Sequence, residues 1–210
     1  MPTIPMFPLE VAMLPSETLP LRIFEPRYSA LVQACLTAPD PAFGVVLIAA
    51  GREVGGGDSR SDVGTVAHIT EHENLGAGQY VMKCSMRERF RVVEWLPDAP
   101  YPRAVIELWP DEPGPPVTAE SIRDIEDRMV ALFERIAQAR GAEVNARDIV
   151  LGADESGDAA LWLYALTARL PMGQADRYSI LAAPTVADRV VALSEAVDTV
   201  TAMVEFQLSE

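Results

Sequence analysis

His68-Ile-Thr-Glu71-His72 is the most chemically suggestive spacing in the chain. An H-x-x-E-H string holds zinc when it lies on a helix, because side chains at i and i+4 then share one face within about 6 Å. The residues before it, Val63-Gly-Thr-Val-Ala67, are β-branched or small and read as strand. Four residues of strand cover about 13 Å, too far for one ion to bridge. The chain has 2 histidines and both are in this string, so no other imidazole can complete a site. No metal site is predicted; these residues are expected to end a strand and enter a turn. Lys83 and Ser85 have the residue types of a Ser–Lys nucleophile pair. Such a lysine must be desolvated or crowded by cations to lose its proton. On a strand the two side chains stand about 7 Å apart in the open, and nothing suggests an oxyanion hole. Gly51-Arg-Glu-Val-Gly-Gly-Gly-Asp58 has the glycines of a phosphate cradle but lacks the lysine beside Ser or Thr that a P-loop needs. Lys83 is the sole lysine. Neither nucleotide hydrolysis nor peptide cleavage is expected, and no cofactor. Cys35 and Cys84 have no partner histidine and read as small core fillers, unpaired, as suits a reducing cytoplasm.

The positions that would carry such chemistry depend on two different halves. Pro110-Asp-Glu-Pro-Gly-Pro-Pro116 bars both helix and ladder, so residues 1–112 are expected to form a β-rich subdomain and 113–210 a helical one. In the first, Ile4–Leu9 and Leu19–Phe24 read as short strands, and Pro26 sits well in the first turn of a helix whose apolar face includes Tyr28, Leu31, Val32 and Cys35. Phe43–Ala49, Val63–Thr70, Tyr80–Leu96 and Arg103–Trp109 complete the strands, with Gly51–Asp62 as a loop. Tyr80, Met82, Cys84 and Met86 alternate with Lys83, Arg87, Arg89 and Arg91, and the break at Glu88, Phe90 and Val92 suggests a bulge. This basic row reads either as an anionic docking face or, preferably, as partners for carboxylates on neighbouring strands such as Glu71, Glu73 or Glu107. The second half reads as three or four helices, near 119–140, 158–170, 174–182 and from Thr185 onward, where Asp188 makes a capping-box variant.

Composition narrows the function classes. Net charge is −14, from 31 acids and 17 bases, and both halves share the surplus. Such a field disfavours nucleic acid and anionic membranes. The longest apolar run, Val45–Ala50, is far too short to span a bilayer, and the start has no basic leader.

Ile4-Pro-Met-Phe-Pro-Leu9, Leu14-Pro15 and Leu19-Pro-Leu-Arg-Ile-Phe-Glu-Pro-Arg-Tyr28 resemble the opening of the Lon protease N-terminal, substrate-binding domain. Phe43-Gly-Val-Val-Leu-Ile48 and Val63-Gly-Thr-Val66 follow in that family's order. Arg87-Glu-Arg-Phe-Arg91 resembles its Gly-x-Arg-Arg-Phe-like strand, with Met86 and Glu88 where Gly and Arg are usual. Leu170-Pro171 and Asp188-Arg189 resemble its helical part, so the resemblance covers nearly the whole chain. It implies an α+β fold, a PUA-like pseudo-β-barrel followed by a C-terminal helical bundle. In full-length Lon proteases this region recognises unfolded or tagged proteins, while the ATPase and the Ser–Lys peptidase lie on other domains. None of those catalytic positions matches here, so the expectation is a stand-alone, non-enzymatic bacterial Lon-domain protein in the cytoplasm.

Three uses are therefore weighed. The first is binding of unfolded proteins or peptides, with Trp95, Tyr101 and Trp109 as candidate contacts near strand ends, although core packing would equally explain them. The second is an adaptor that docks on another protease or regulator through its acidic helices. The third, RNA binding through a PUA-like fold, rests only on the Lys83, Arg87, Arg89, Arg91 row. Arg22, Glu25, Pro26 and Arg27 bracket a strand-to-helix corner and read as structural.

Overall fold

Leu75-Gly-Ala-Gly-Gln79 folds two 18-residue strands back on each other: β4 (Ser59–Gly76) and β5 (Gln79–Leu96). The two connecting residues, Ala77 and Gly78, have φ of 51° and 76°, and positive φ at both is what a type I′ turn requires. The computed structural model describes residues 1–50, 59–152 and 157–209. The strand expected to leave its ladder near His68–His72 instead continues to Gly76, because Glu71, His72, Glu73 and Asn74 pair with Lys83, Met82, Val81 and Tyr80. Those polar residues concealed a strand because its outer stretch is exposed. Ser59–Asp62, expected as loop, opens β4; the glycine run 51–58 lies outside the described residues.

The other strands are β1 (Thr3–Leu9), β2 (Thr18–Ile23), β3 (Ala42–Ala50) and β6 (Arg103–Leu108). The sheet runs β2-β5-β4-β3-β1-β6, and β6 also pairs with β5, so five strands close into a barrel-like ring with β2 attached outside it. Inside the ring Met6, Val46, Val66, Phe90, Ala104 and Ile106 form one apolar cluster. The glycines expected only as family motif have a packing role there. A Cβ on Gly64 would lie 2.2 Å from the Val45 carbonyl oxygen and 2.6 Å from Phe90 Cζ; one on Gly44 would meet Met6 Sδ at 2.5 Å. A larger cluster packs the helix α1 (Pro26–Cys35) onto the sheet through Tyr28, Leu31, Val32 and Cys35 against Phe7, Phe43, Met82 and Cys84.

The alternation of β5 is interrupted as its pattern suggested. Ala67 pairs with Met86 and Thr65 with Arg89, so Arg87 and Glu88 together face Val66. The extra residue changes which side chains point outward. Lys83, Arg87 and Arg91 are exposed, but Arg89 is buried, so the four cations do not form one exposed row.

Residues 1–110 form the first compact unit and 111–210 the second. The second contains α2 (Ala119–Ala139), α3 (Ala146–Leu151), α4 (Ala159–Arg169), α5 (Gln174–Leu181) and α6 (Val186–Leu208). Among the described residues five helices stand where three or four were expected; α3 has 6 residues, too few to show a period, and is marked only by its cap Asn145. At α6 the Thr185 hydroxyl accepts from Asp188 N–H while the Asp188 carboxylate accepts from Thr185 N–H, a complete capping box. Arg189, one residue on, is fully buried: its guanidinium pairs with Asp111, donates to the Ala160 carbonyl at 3.3 Å and lies 4.0 Å over the Tyr164 ring. No described helix is long and apolar enough to cross a membrane.

Both cysteines are free and buried, and Cys35 Sγ–H donates to the Ala42 carbonyl at 3.3 Å. Burial pushes each thiol from 9.0 to about 12; for Cys84 the neighbouring Cys35 adds to the rise. The folded state thus keeps two protons that the unfolded chain releases above pH 9, so stability is complete below that pH and falls from there toward pH 12. Urea midpoints measured across this range should drop with Cys35 and Cys84 intact, and drop less in a Cys35→Ala/Cys84→Ala protein. Native protein at pH 8 should react with a thiol reagent only at the rate of unfolding.

Candidate functional site

At the C-terminal end of β2 the chain turns into α1 within three residues, and this corner shapes a cleft. Period two along Leu21-Arg-Ile-Phe24 sends Ile23 into the core and Phe24 outward. Phe24 is 63% exposed, the most exposed aromatic side chain described in residues 1–110. Beside it Phe7, Leu21, Ile23 and Tyr28 line an apolar hollow of about 170 Å³ with Arg22 and Glu25 at its rim. Pro26 opens the helix with its missing N–H where no partner is needed, and the Glu25 carbonyl accepts from Tyr28 and Ser29 N–H. The Arg27 guanidinium meets the Glu25 carboxylate at 3.1 Å and lies 4.4 Å from the Tyr28 ring centre, so it braces the hollow's wall. Arg22 is exposed at the mouth. Ser29 Oγ donates to the Gly78 carbonyl, which ties the helix start to the β4–β5 turn.

The three aromatics nominated from sequence occupy different surroundings. Trp109 is buried, with the guanidinium carbons of Arg91 and Arg89 at 3.5 and 4.4 Å from its ring centre, and its backbone N–H donates to the Arg89 carbonyl. Trp95 is half-buried against the ring-interior cluster; its Nε1–H donates to Asp62 at 3.3 Å and Arg60 lies 5.0 Å from its ring. Tyr101 is half-buried against the cluster that also holds Phe7, Ile23 and Tyr28. The sequence reading places Phe24 at the end of the Leu19–Phe24 strand and gives it no role of its own. Its parity relative to Ile23 was the available signal.

The chemically suggestive residues take structural surroundings. Lys83 Nζ lies 3.5 Å from Glu71, so the Ser85 neighbour has no free amine beside it. His68 is on β4, its Nδ1 3.1 Å from Asp40 and its Nε2 3.4 Å from Glu88. Glu71 and His72 are exposed further along the same strand. Among the described residues no group of three or more His, Cys, Asp or Glu side chains could hold a metal ion.

Residues 3–199 match the family model of the ATP-dependent protease La (LON) substrate-binding domain. A crystal structure of a Lon N-terminal domain protein from Xanthomonas campestris superposes with a TM-score of 0.65 at 23% identity, covering 93% of this chain and 98% of that one. The N-terminal domain of Mycobacterium avium complex Lon protease gives 0.62 at 14% identity, with 94% and 98% covered. At these identities the two structures establish the shared α+β fold. Among curated proteins none matches the sequence significantly.

Proposed function

We propose that this chain, which belongs to the family of ATP-dependent protease La (LON) substrate-binding domains, is a non-catalytic module that holds exposed segments of unfolded proteins or peptides. The observation that carries this reading is Phe24, a large apolar ring presented to solvent at the mouth of an apolar hollow. Concave apolar surface with a polar rim is what a protein needs to grip a segment whose own core residues are uncovered. Arg22 and Glu25 at that rim supply both signs of charge for backbone or side-chain contacts. Tyr101, which packs on the same cluster, extends the candidate surface. Trp95 and Trp109 are proposed only as peripheral contacts, since neighbouring arginines already cover parts of their rings.

A chemically denatured, reduced model protein should bind the purified protein in the absence of ATP. Phe24→Ser should weaken that binding by at least about tenfold, the scale of an interface hot spot. It should leave the melting temperature nearly unchanged, because the ring is already in water. Failure of the wild-type protein to bind at tens of micromolar would reject the reading; unaltered binding by Phe24→Ser would reject this hollow as its seat.

A second reading, an adaptor that docks on another protease or regulator, is favoured by Met203 and Phe206, both largely exposed near the end of α6. Copurification of one defined partner, lost in Phe206→Ser and unaffected by Phe24→Ser, would support it over general peptide binding.

A further inference from the structure

The free edge of β2 sits beside the Phe24 hollow. The Met86 N–H donates to the Glu17 carbonyl and the Met86 carbonyl accepts from Ser16 N–H, both at 2.9 Å, so Met86 faces the β2 side. Ladder bonds alternate along antiparallel strands. Leu19, Leu21 and Ile23, opposite Cys84, Met82 and Tyr80, therefore spend their backbone groups on β5. Thr18, Pro20 and Arg22 turn theirs to the other side, where no strand pairs among the described residues. Pro20 lies where its missing N–H costs no ladder bond. That edge offers carbonyls at Thr18, Pro20 and Arg22 and N–H groups at Thr18 and Arg22, spread over about 13 Å.

We propose that this edge accepts an extended segment of a client protein as an added strand, with apolar side chains at alternate positions and lysine or arginine between them. The proposal rests on the protein-binding reading above and specifies the geometry and chemistry of its ligand. Side chains of an added strand alternate between faces. On the core side, the edge ends at the apolar hollow lined by Leu21 and Ile23. On the other side, Thr18, Pro20 and Val81 border a groove of about 490 Å³ that carries Glu71, Glu73 and Lys83. Lys83 is engaged by Glu71, and Glu73 pairs with no cation among the described residues, so the groove favours a cation. A second copy of this chain is disfavoured as occupant: it would set acid against acid in a protein of net charge −14. Pro20 also removes the central donor that two identical edges would need for a continuous ladder.

The probe is a nine-residue peptide alternating valine and lysine with blocked ends, and a series carrying one N-methyl group at each central amide. Methylation at every second amide should weaken binding about fivefold, the value of one hydrogen bond, while methylation between them should not. Saturating peptide should slow hydrogen exchange at the Thr18 and Arg22 amides at least tenfold. Replacing the lysines by glutamate should weaken binding at least tenfold, and Glu73→Lys should shift the preference toward the acidic peptide. Absence of the alternating pattern, or of protection at Thr18 and Arg22, would overturn strand addition. If denatured protein still bound in a Phe24-dependent manner, the broader reading would survive that result; if it did not bind, both would fall. Protection that rose with protein concentration alone would identify a second copy as the occupant and also overturn the proposal.

Discussion

Asp111→Ala should lower the stability of the helical unit by about 3–5 kcal/mol, the cost of leaving a buried charge without its partner. Arg189 is 0% exposed and cannot rehydrate, whereas Asp111 is 28% exposed and can. The two halves of the pair should therefore be unequal. Arg189→Met keeps most of the volume against Tyr164, strands only a carboxylate within reach of water, and should cost less than Asp111→Ala. The double variant should recover much of the loss, since an apolar group in place of a buried ion pair is often tolerated. Trp162 is the single tryptophan of residues 111–210 and its Nε1–H donates to Glu126 at 2.6 Å, so in a Trp95→Phe/Trp109→Phe background its fluorescence reports on this unit during urea unfolding. A larger loss in Arg189→Met than in Asp111→Ala would show that the guanidinium's bond to the Ala160 carbonyl and its stacking outweigh the charge.

Gly64→Ala should be comparably damaging to residues 1–110, by about 3 kcal/mol or more, at the upper end of overpacking effects. The obstacle is backbone: the new methyl group would sit 2.2 Å from the Val45 oxygen, so the β3–β4 ladder itself would have to open. Gly44→Ala provides the contrast. Its nearest neighbours are the ends of Met6 and Phe90, at 2.5 and 2.9 Å, and flexible side chains can yield. Shortening the ring with Phe90→Leu should thus relieve Gly44→Ala and leave Gly64→Ala as unstable as before. Thermal melts of the four proteins would decide this; rescue of Gly64→Ala by Phe90→Leu would mean that side-chain crowding, not the carbonyl, sets the cost.

Most of the element order was legible because periodicity is a local property. Tyr80, Met82, Cys84 and Met86 declared one face of β5, Pro26 declared the start of α1, and Thr185 with Asp188 declared that of α6. The fold class and the family followed from the residues of the β2–α1 corner. The hidden parts depend on partners distant in sequence. Glu71–Asn74 look like loop until Lys83 to Tyr80 are placed opposite them. Arg89 reads as surface until the bulge turns it beside Trp109. The candidate hollow was not legible as a binding surface: Arg22, Glu25 and Arg27 read as a structural corner, and the hollow also needs Phe7 from another strand, which no local pattern supplies.

The proline-rich run 110–116 has a role that its composition disguises. Beyond the Asp111 ion pair, the Glu112 N–H donates to the Pro184 carbonyl at 2.9 Å, and a Cβ on Gly114 would lie 2.7 Å from that of Thr185. These residues are clamped along the entrance of α6 as a strap. Anyone transplanting the helices into a chimaera, or trimming them for crystallisation, should carry the strap with them: a cut at Pro113, the obvious place by inspection, removes the counter-ion that the last helix was built around.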